Sequence, residues 1–209
     1  MQFDHHGNAV YDCDNGLRCA AYYAHTVLQH AATMTIEYGE DIRMVSVQNG
    51  RVRLALPNPI DFRDLSPLEV SNGIFYFYHL RIGMPHVVIF EDSLREVDIE
   101  LFGRQISRHE HFLEDGVCVN FAHIDNASTV SILTYDGRNQ TENVSSEAGA
   151  AAAAILSALI NKCSSPVAVR TRAGETIHVS FTKDVYDVKD VYVEAAVSHS
   201  FEGLTRIEV

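Results

Sequence analysis

The sequence predicts an α+β protein made of two similar units, and three observations predict it. Runs with strand character are interleaved with two long helical stretches rather than segregated from them. Those helices open with one grammar. "CDNGLRCAAYYAHTVLQ" and "SSEAGAAAAAILSALIN" each give a small nucleophile-type residue, an acid, a spacer and a glycine before a small-residue helix. Cys13 thus matches Ser146, Asp14 matches Glu147 and Gly16 matches Gly149. Finally, the alanine run at 150–154 reads as a helix closely packed by a surrounding sheet, where only small side chains fit. Together these describe a pseudo-twofold protein with both helix N-termini facing one cleft.

The elements follow in order. Residues 16–31 carry apolar groups at Leu17, Ala20, Ala21, Ala24, Val27, Leu28 and Ala31, the spacing of one helix face. "IRMVSVQNGRVRLALP" alternates on both sides of Asn49-Gly50, a strong hairpin signal. "NPIDFRDLSPLEVSN" at 58–72, polar and with two prolines, reads as a linker. "GIFYFYHLRIGMPHVVIFE" gives two strands broken at Gly83-Met84-Pro85, and residues 94–112 give a helix. "VCVNFAHID" and "TVSILTYDG" are two more strands. "AGAAAAAILSALINK" is a strong helix by propensity. The tail alternates as "VAVRTRAGETIHVSF", hinged at Ala173-Gly174, and "DVYVEAAVSHSF". The two units join near residue 65, giving segments 1–65, 66–200 and a tail at 201–209 that returns to the first unit.

Bulk properties narrow the function. In 209 residues, 46% are hydrophobic and 21% charged, ordinary values for a globular chain with a buried core. The formal net charge of -12 argues against nucleic acid and anionic membrane as partners, since both require a basic face. There is no apolar run of membrane length, and "MQFDHHGNAV" lacks the layout of a signal peptide, so a cytoplasmic location is expected. Cys13, Cys19, Cys118 and Cys163 are scattered, which indicates neither a disulfide framework nor a zinc ribbon. His5-His6 and His109-Glu110-His111 lack the spacing of a zinc helix, so no metal is expected. Cys19 and Cys163, in or beside alanine-rich helices, read as small buried apolar groups.

The residues also carry a family likeness. "FDHHGNAVYDCDNGLRCAAYYAH", "GMPHVVIFED", "LFGRQISRHEHFLEDGVCVNF", "TYDGRNQTENVSSEAGAAAAA" and "TRAGETIHVSF" resemble, in order and spacing, successive segments of diaminopimelate epimerase. The resemblance covers nearly the whole chain. It implies two pseudo-symmetric halves, each a mostly antiparallel sheet wrapped around a central helix, with the active site in the cleft between them. It also implies an isomerase of amino-acid metabolism, in lysine biosynthesis, that inverts an α-carbon without pyridoxal phosphate or any other cofactor. In that family one cysteine thiolate removes the α-proton and a second thiol protonates the opposite face. Both helix N-termini hold the α-carboxylate and lower the thiol pKa.

Position by position, the site has changed. Cys13 keeps the first catalytic position, with Asn15, Gly16 and Arg18 beside it, while Asp14 replaces a glycine and opposes the helix dipole that would favour a thiolate. Ser146 replaces the second cysteine, and a hydroxyl is a far weaker acid than a thiol. Glu147-Ala148-Gly149 replaces the carboxylate-binding turn, so Glu147 is expected to repel a substrate carboxylate. Asp136-Gly137 falls on the Glu-Arg pair that grips the distal ammonium and carboxylate, with Arg138 adjacent. Asp4 and Cys118 fall on substrate-binding asparagines, Met84 replaces an Asn/Val and His86 is kept.

The family also has further strands and a helix ahead of "FDHHG". Their absence from this sequence leads one to expect an exposed sheet edge and an open face, with a gene fragment, a mis-called start, a homodimer or a second chain as the explanations. Two functions follow from the sequence. One is an isomerase acting on an amino acid or related carboxylate, with Cys13 as base and Ser146 on the opposite face. The other is a non-catalytic homologue kept for binding or assembly.

Overall fold

Two long helices and the sheet packed around them dominate the computed structural model, which describes residues 2–3, 9–10, 13–39, 41–71, 73–112, 116–184 and 187–203. Strands β1 (Gln2–Phe3) and β2 (Ala9–Val10) pair with each other. Helix α1 (Asp14–Thr26) is followed by β3 (Thr33–Tyr38), β4 (Asp41–Gln48) and β5 (Arg51–Ala55), on which it packs. Next come β6 (Ile60–Val70), β7 (Gly73–Ile82), β8 (Met84–Phe90), α2 (Ile99–Ser107) and a short 3-10 turn (Glu110–Phe112). Strands β9 (Cys118–Asn126), β10 (Thr129–Asp136) and β11 (Thr141–Asn143) lead to α3 (Glu147–Leu159). Strands β12 (Val167–Arg170), β13 (Thr176–Lys183) and β14 (Val188–Ala196) close the fold.

One mixed 12-stranded sheet runs β3-β4-β5-β14-β13-β12-β10-β9-β8-β7-β6, with β11 paired to β10. The β8–β9 and β10–β12 pairs are parallel and the others antiparallel. The fold is therefore α+β in two halves. In one, α1 lies on β3–β5; in the other, α3 packs against β7–β10 and β12–β14. The β5–β14 pair makes the two sheets continuous.

Strand alternation sorts the side chains onto two faces. On β8, Val87 and Ile89 join the outer cluster with Ile99 and Ile106 of α2, while Val88 joins the inner cluster around α3. On β9, Val119 and Phe121 point out and Ala122 points in; on β10, Leu133 and Tyr135 point out and Ile132 points in. The inner layer is thin because of α3. Every residue from 150 to 156 is fully buried, and five of these seven are alanines, so strands approach the helix backbone from nearly every side.

Several expectations need correction. The segment expected to be a linker at 58–72 is largely strand β6, an edge strand whose register with β7 shifts twice. Pro67 is tolerated there because an edge strand need not donate on its outer side. The pairing comes from β7, whose aromatic-rich run supplies the partner, a long-range effect that local composition does not show. The helix expected over 94–112 is confined to Ile99–Ser107, starting where the Asp98 carboxylate accepts from the Leu101 amide at 3.0 Å. Helix α1 ends at Thr26, before Gln29 takes a positive φ of 59°. Strand β3 went unassigned in the sequence. It forms one edge of the sheet by pairing with β4, and β6 forms the other. Cys163 is buried, but Cys19 is exposed, because α1 buries one stripe only, at Leu17, Arg18 and Ala21.

The Asn49-Gly50 hairpin forms as expected, with both residues at positive φ (51° and 72°). Gly83, at φ 67°, makes the turn between β7 and β8.

The alanine helix yields a stability test. Leucine matches alanine closely in helix propensity, so Ala152→Leu changes packing without disfavouring the helix. With Ala152 fully buried, the added side chain should destabilise the protein by about 1–3 kcal/mol, read as a lower urea midpoint at unchanged slope.

Candidate active site

Alternation and the two helix starts converge on one place. Inward-facing Met84 and His86 on β8, Cys118 on β9 and Asp136 on β10 meet Cys13, the N-cap of α1, and Ser146, the N-cap of α3. They line a cleft of about 220 Å³ that also includes Asn15, Glu147 and Ala148. The two helix N-termini thus face one cleft, as the sequence echo predicts. A larger hollow of about 500 Å³, with Arg63, His79 and Arg81 on its wall, lies by strand alternation on the outer face of β7 and β8. It holds none of the expected site residues.

The cleft floor is a charge network. Arg18, buried on α1, donates from Nε to Glu147 Oε1 at 2.6 Å and from Nη1 to Glu175 Oε1 at 3.1 Å. Its Nη2 donates to Asn15 Oδ1 at 2.6 Å, and Asn15 Nδ2 donates in turn to the Ser145 carbonyl at 2.8 Å. Ser145 Oγ closes the ring on Glu175 Oε2 at 2.5 Å. Burial works to lower the Arg18 pKa, but Glu147 and Glu175 outweigh it and raise it. Burial pushes the Glu147 carboxyl up to about 7, with Arg18 opposing and Asp14 adding to the rise. Glu147 is therefore not the uncompensated repelling charge the sequence suggested. Its carboxylate turns away to a guanidinium contributed by the other helix.

The two N-caps differ. Ser146 Oγ accepts from the Gly149 amide at 3.0 Å, whereas Cys13 makes no side-chain cap bond. The α1 start lies at the mouth of the cleft, where a helix N-terminus favours an anion or a thiolate. Gly149 belongs to packing rather than to the cleft surface. A Cβ there would lie 2.5 Å from Asn120 Oδ1 and 2.9 Å from Thr134 Oγ1, so the helix start can seat on β9 and β10 only as glycine. Gly137, beside Asp136, also admits no side chain, since a Cβ would collide with the Val117 carbonyl.

His86 is fully buried, and burial pushes its pKa down to about 3, with His79 and Arg138 adding. Its tautomer follows from its neighbour. Thr134 Oγ1 donates to Asn120 Oδ1 at 2.9 Å, which turns Asn120 Nδ2 toward the Val87 carbonyl at 3.0 Å and His86 Nδ1 at 3.3 Å. An amide N–H facing Nδ1 makes that nitrogen the acceptor, so the proton sits on Nε2. Nε2 is buried without a hydrogen-bond partner. Beside it, Cys118 Sγ lies 3.4 Å from Met84 Sδ.

Of the other expected residues, Gly16 and Arg138 are not on the cleft wall and Asp4 lies outside the described residues. Asn139, Asn143 and Ser145, which the sequence reading missed, are on it. Asn143 arrives through the β10–β11 hairpin, which the polar run "DGRNQTEN" concealed as a loop. Asn120 was detectable, because it shares the period-2 face of Cys118. Among the described residues no group of three or more His, Cys, Asp or Glu is placed to hold a metal ion. Among the described residues no helix is long and apolar enough to cross a membrane.

No protein-family model matches the chain. Curated relatives do. It is 30% identical over 216 residues to the diaminopimelate epimerase of Aquifex aeolicus, covering 99% of this chain and 74% of that one. It is 31% identical over 188 residues to the diaminopimelate epimerase of Legionella pneumophila strain Paris, covering 83% and 67%. Among solved structures it superposes on a PhzF-family phenazine biosynthesis protein of Bacillus anthracis with a TM-score of 0.64 at 14% identity, covering 95% and 78%. It also superposes on a hydroxyproline epimerase of Agrobacterium vitis with bound trans-4-hydroxy-L-proline, at a TM-score of 0.56 and 13% identity, covering 85% and 61%. These two likenesses establish the fold.

Two tests follow from the geometry. Arg18→Met strands Glu147 in a buried site and should cost about 3–5 kcal/mol in urea unfolding, while Arg18→Met with Glu147→Leu should recover most of it. The second concerns pH. His86 stays neutral when folded but protonates below about 6.5 when unfolded, so its contribution is present above that pH and is lost as pH falls toward 3. Glu147 works in the opposite sense, its contribution being lost as pH rises through about 7. Comparing variants separates the two. Between pH 4 and 6 the stability of His86→Gln should fall more slowly than wild type, by up to ~1.4 kcal/mol per pH unit.

Proposed function

This chain belongs to the diaminopimelate epimerase family, and we propose that it is an isomerase that abstracts the α-proton of an amino acid in the cleft without a cofactor, Cys13 being the base. The observation that carries this reading is the meeting of two helix N-termini in one cleft, with a thiol at one and a hydroxyl at the other. The α1 N-terminus favours the Cys13 thiolate, with Asp14 in the first turn opposing it, and the same helix end can receive the substrate carboxylate. As the α-proton moves to Cys13 Sγ, negative charge shifts from the α-carbon onto the carboxylate oxygens. His86, fully buried beside the cleft and held neutral by burial, adds no charge of its own to oppose it.

On the opposite face Ser146 accepts one hydrogen bond from Gly149, which leaves its own hydrogen free to point into the cleft. Reprotonation from a serine would form an alkoxide, which needs a partner base. The expected reaction is therefore α-hydrogen exchange with strong preference for the Cys13 face, with slow inversion. The alternative is a non-catalytic homologue. It is favoured by one observation, that the Ser146 oxygen is already engaged as a helix cap.

α-Hydrogen exchange in deuterated water decides between them. Offered meso-diaminopimelate and a panel of amino acids, the protein should incorporate deuterium at the α-carbon of at least one. Cys13→Ala should reduce that rate at least about 100-fold, the scale of losing a positioned general base. Ser146→Cys should raise inversion relative to exchange. If no Cys13-dependent exchange occurs on any substrate, the isomerase reading fails.

A further inference from the structure

The larger hollow on the outer face, about 500 Å³, is the size of a small-molecule site. Among the described residues it shares no lining side chain with the cleft. It forms where β6 and β7 meet the turn at Glu110–Phe112. Strand register puts Arg63 opposite His79, and Arg81 follows two residues later on the same face of β7, so both guanidinium groups line the hollow. Arg63 is well exposed, at 59% of its side chain. It donates from Nε to Asp61 Oδ1 at 3.2 Å and from Nη2 to Asp61 Oδ2 at 3.0 Å. A guanidinium has five N–H groups, so donors on Nη1 and Nη2 can serve a ligand as well. His79 lies buried between the arginines and donates from Nδ1 to the Asp61 carbonyl at 3.0 Å. Burial pushes its pKa down, so the arginines rather than His79 carry positive charge here.

A second, independent feature is aromatic. The His111 ring is exposed, yet it stands edge-on to the buried rings of Phe112 and Phe77, with centroids 4.9 and 6.0 Å away. Phe77 and Phe112 meet edge to face in turn, at 5.5 Å. An exposed ring braced in this way is a platform for another flat group. Glu110, beside it in sequence and also exposed, adds a carboxylate to the same wall. Among the described lining residues Arg63 and Arg81 thus balance Asp61 and Glu110, which suits a ligand of both signs better than a simple anion.

We propose that this hollow is a second ligand site, separate from the cleft, that takes an aromatic α-amino acid. Its ring stacks on His111, its carboxylate meets Arg63 and Arg81, and its ammonium meets Glu110. Nothing in the cleft enters, so the isomerase reading stands or falls independently.

Isothermal titration would compare L-phenylalanine with probes that each lack one group: L-alanine without the ring, 3-phenylpropionate without the ammonium and 2-phenylethylamine without the carboxylate. Phenylalanine should bind at least about tenfold more tightly than each of them. With folds checked by circular dichroism, His111→Ala should bring phenylalanine close to alanine, Glu110→Gln close to 3-phenylpropionate and Arg81→Gln close to phenylethylamine. In a proton–nitrogen correlation spectrum, the amide shifts caused by phenylalanine should cluster at residues 61–66, 79–81 and 110–112, and should persist in Cys13→Ala. Any one probe binding as tightly as phenylalanine, no binding at all, or shifts centred on Cys13 and Ala148 would overturn the proposal.

Discussion

The buried pair between Arg18 and Glu147, 2.6 Å long and almost wholly out of solvent, joins helices from the two halves of the molecule. Arg18 lies one turn into α1, and Glu147 is the first residue of α3. Through Glu175 and the Ala196 carbonyl the same guanidinium reaches the β12–β13 connection and the end of β14. Several elements therefore fix their relative positions through one side chain. Removing either member would leave the other charged in a low-dielectric site, which makes the arrangement specific even where it adds little net stability. The cleft exists in its observed shape because this pair sets how the two helix starts face each other.

Around that link the architecture is governed by the size of a methyl group. The α3 alanines allow the sheet to close over the helix, and glycines at 149 and 103 allow close approaches, against Asn120 and Thr134 in one case and the Tyr135 ring in the other. Strand alternation then does the rest. Every second residue of β8, β9 and β10 points at the helix, and at the strand ends nearest the α3 start those residues are Met84, His86, Cys118 and Asp136. Site chemistry here is a by-product of packing geometry, since the residues that line the cleft continue the rows that form the core.

The cleft is chemically unequal on its two sides. A thiol without a side-chain cap bond faces a hydroxyl already bound to its helix, and a neutral histidine donor is fixed by an asparagine that is itself fixed by a threonine. Such a site suits one-sided proton transfer better than symmetric exchange between two faces. In its floor the Arg18 guanidinium is shared between two carboxylates, Glu147 and Glu175.

Much of this was legible in the sequence, and each success and failure has a physical cause. The hairpin at Asn49-Gly50, the alanine helix and the matched helix starts are local signals, carried by φ preference, propensity and capping, and they determined the α+β class and placed Cys13 and Ser146 at one cleft. Strand β6 was hidden because pairing with β7 overrides Pro67 at an edge and Pro59 just before it. Cys19 was assigned to the core because it sits in an alanine-rich helix, but only a single stripe of α1 is buried and Cys19 lies off it. Glu147 looked like a free anion because its partner lies 129 positions earlier, and no local pattern encodes an ion pair across that distance. The sequence by itself therefore determined the elements, the halves and the residues available for chemistry. Only the tertiary structure decided which charges neutralise one another and which way each polar group points, because those depend on desolvation and on contacts between segments far apart in the chain.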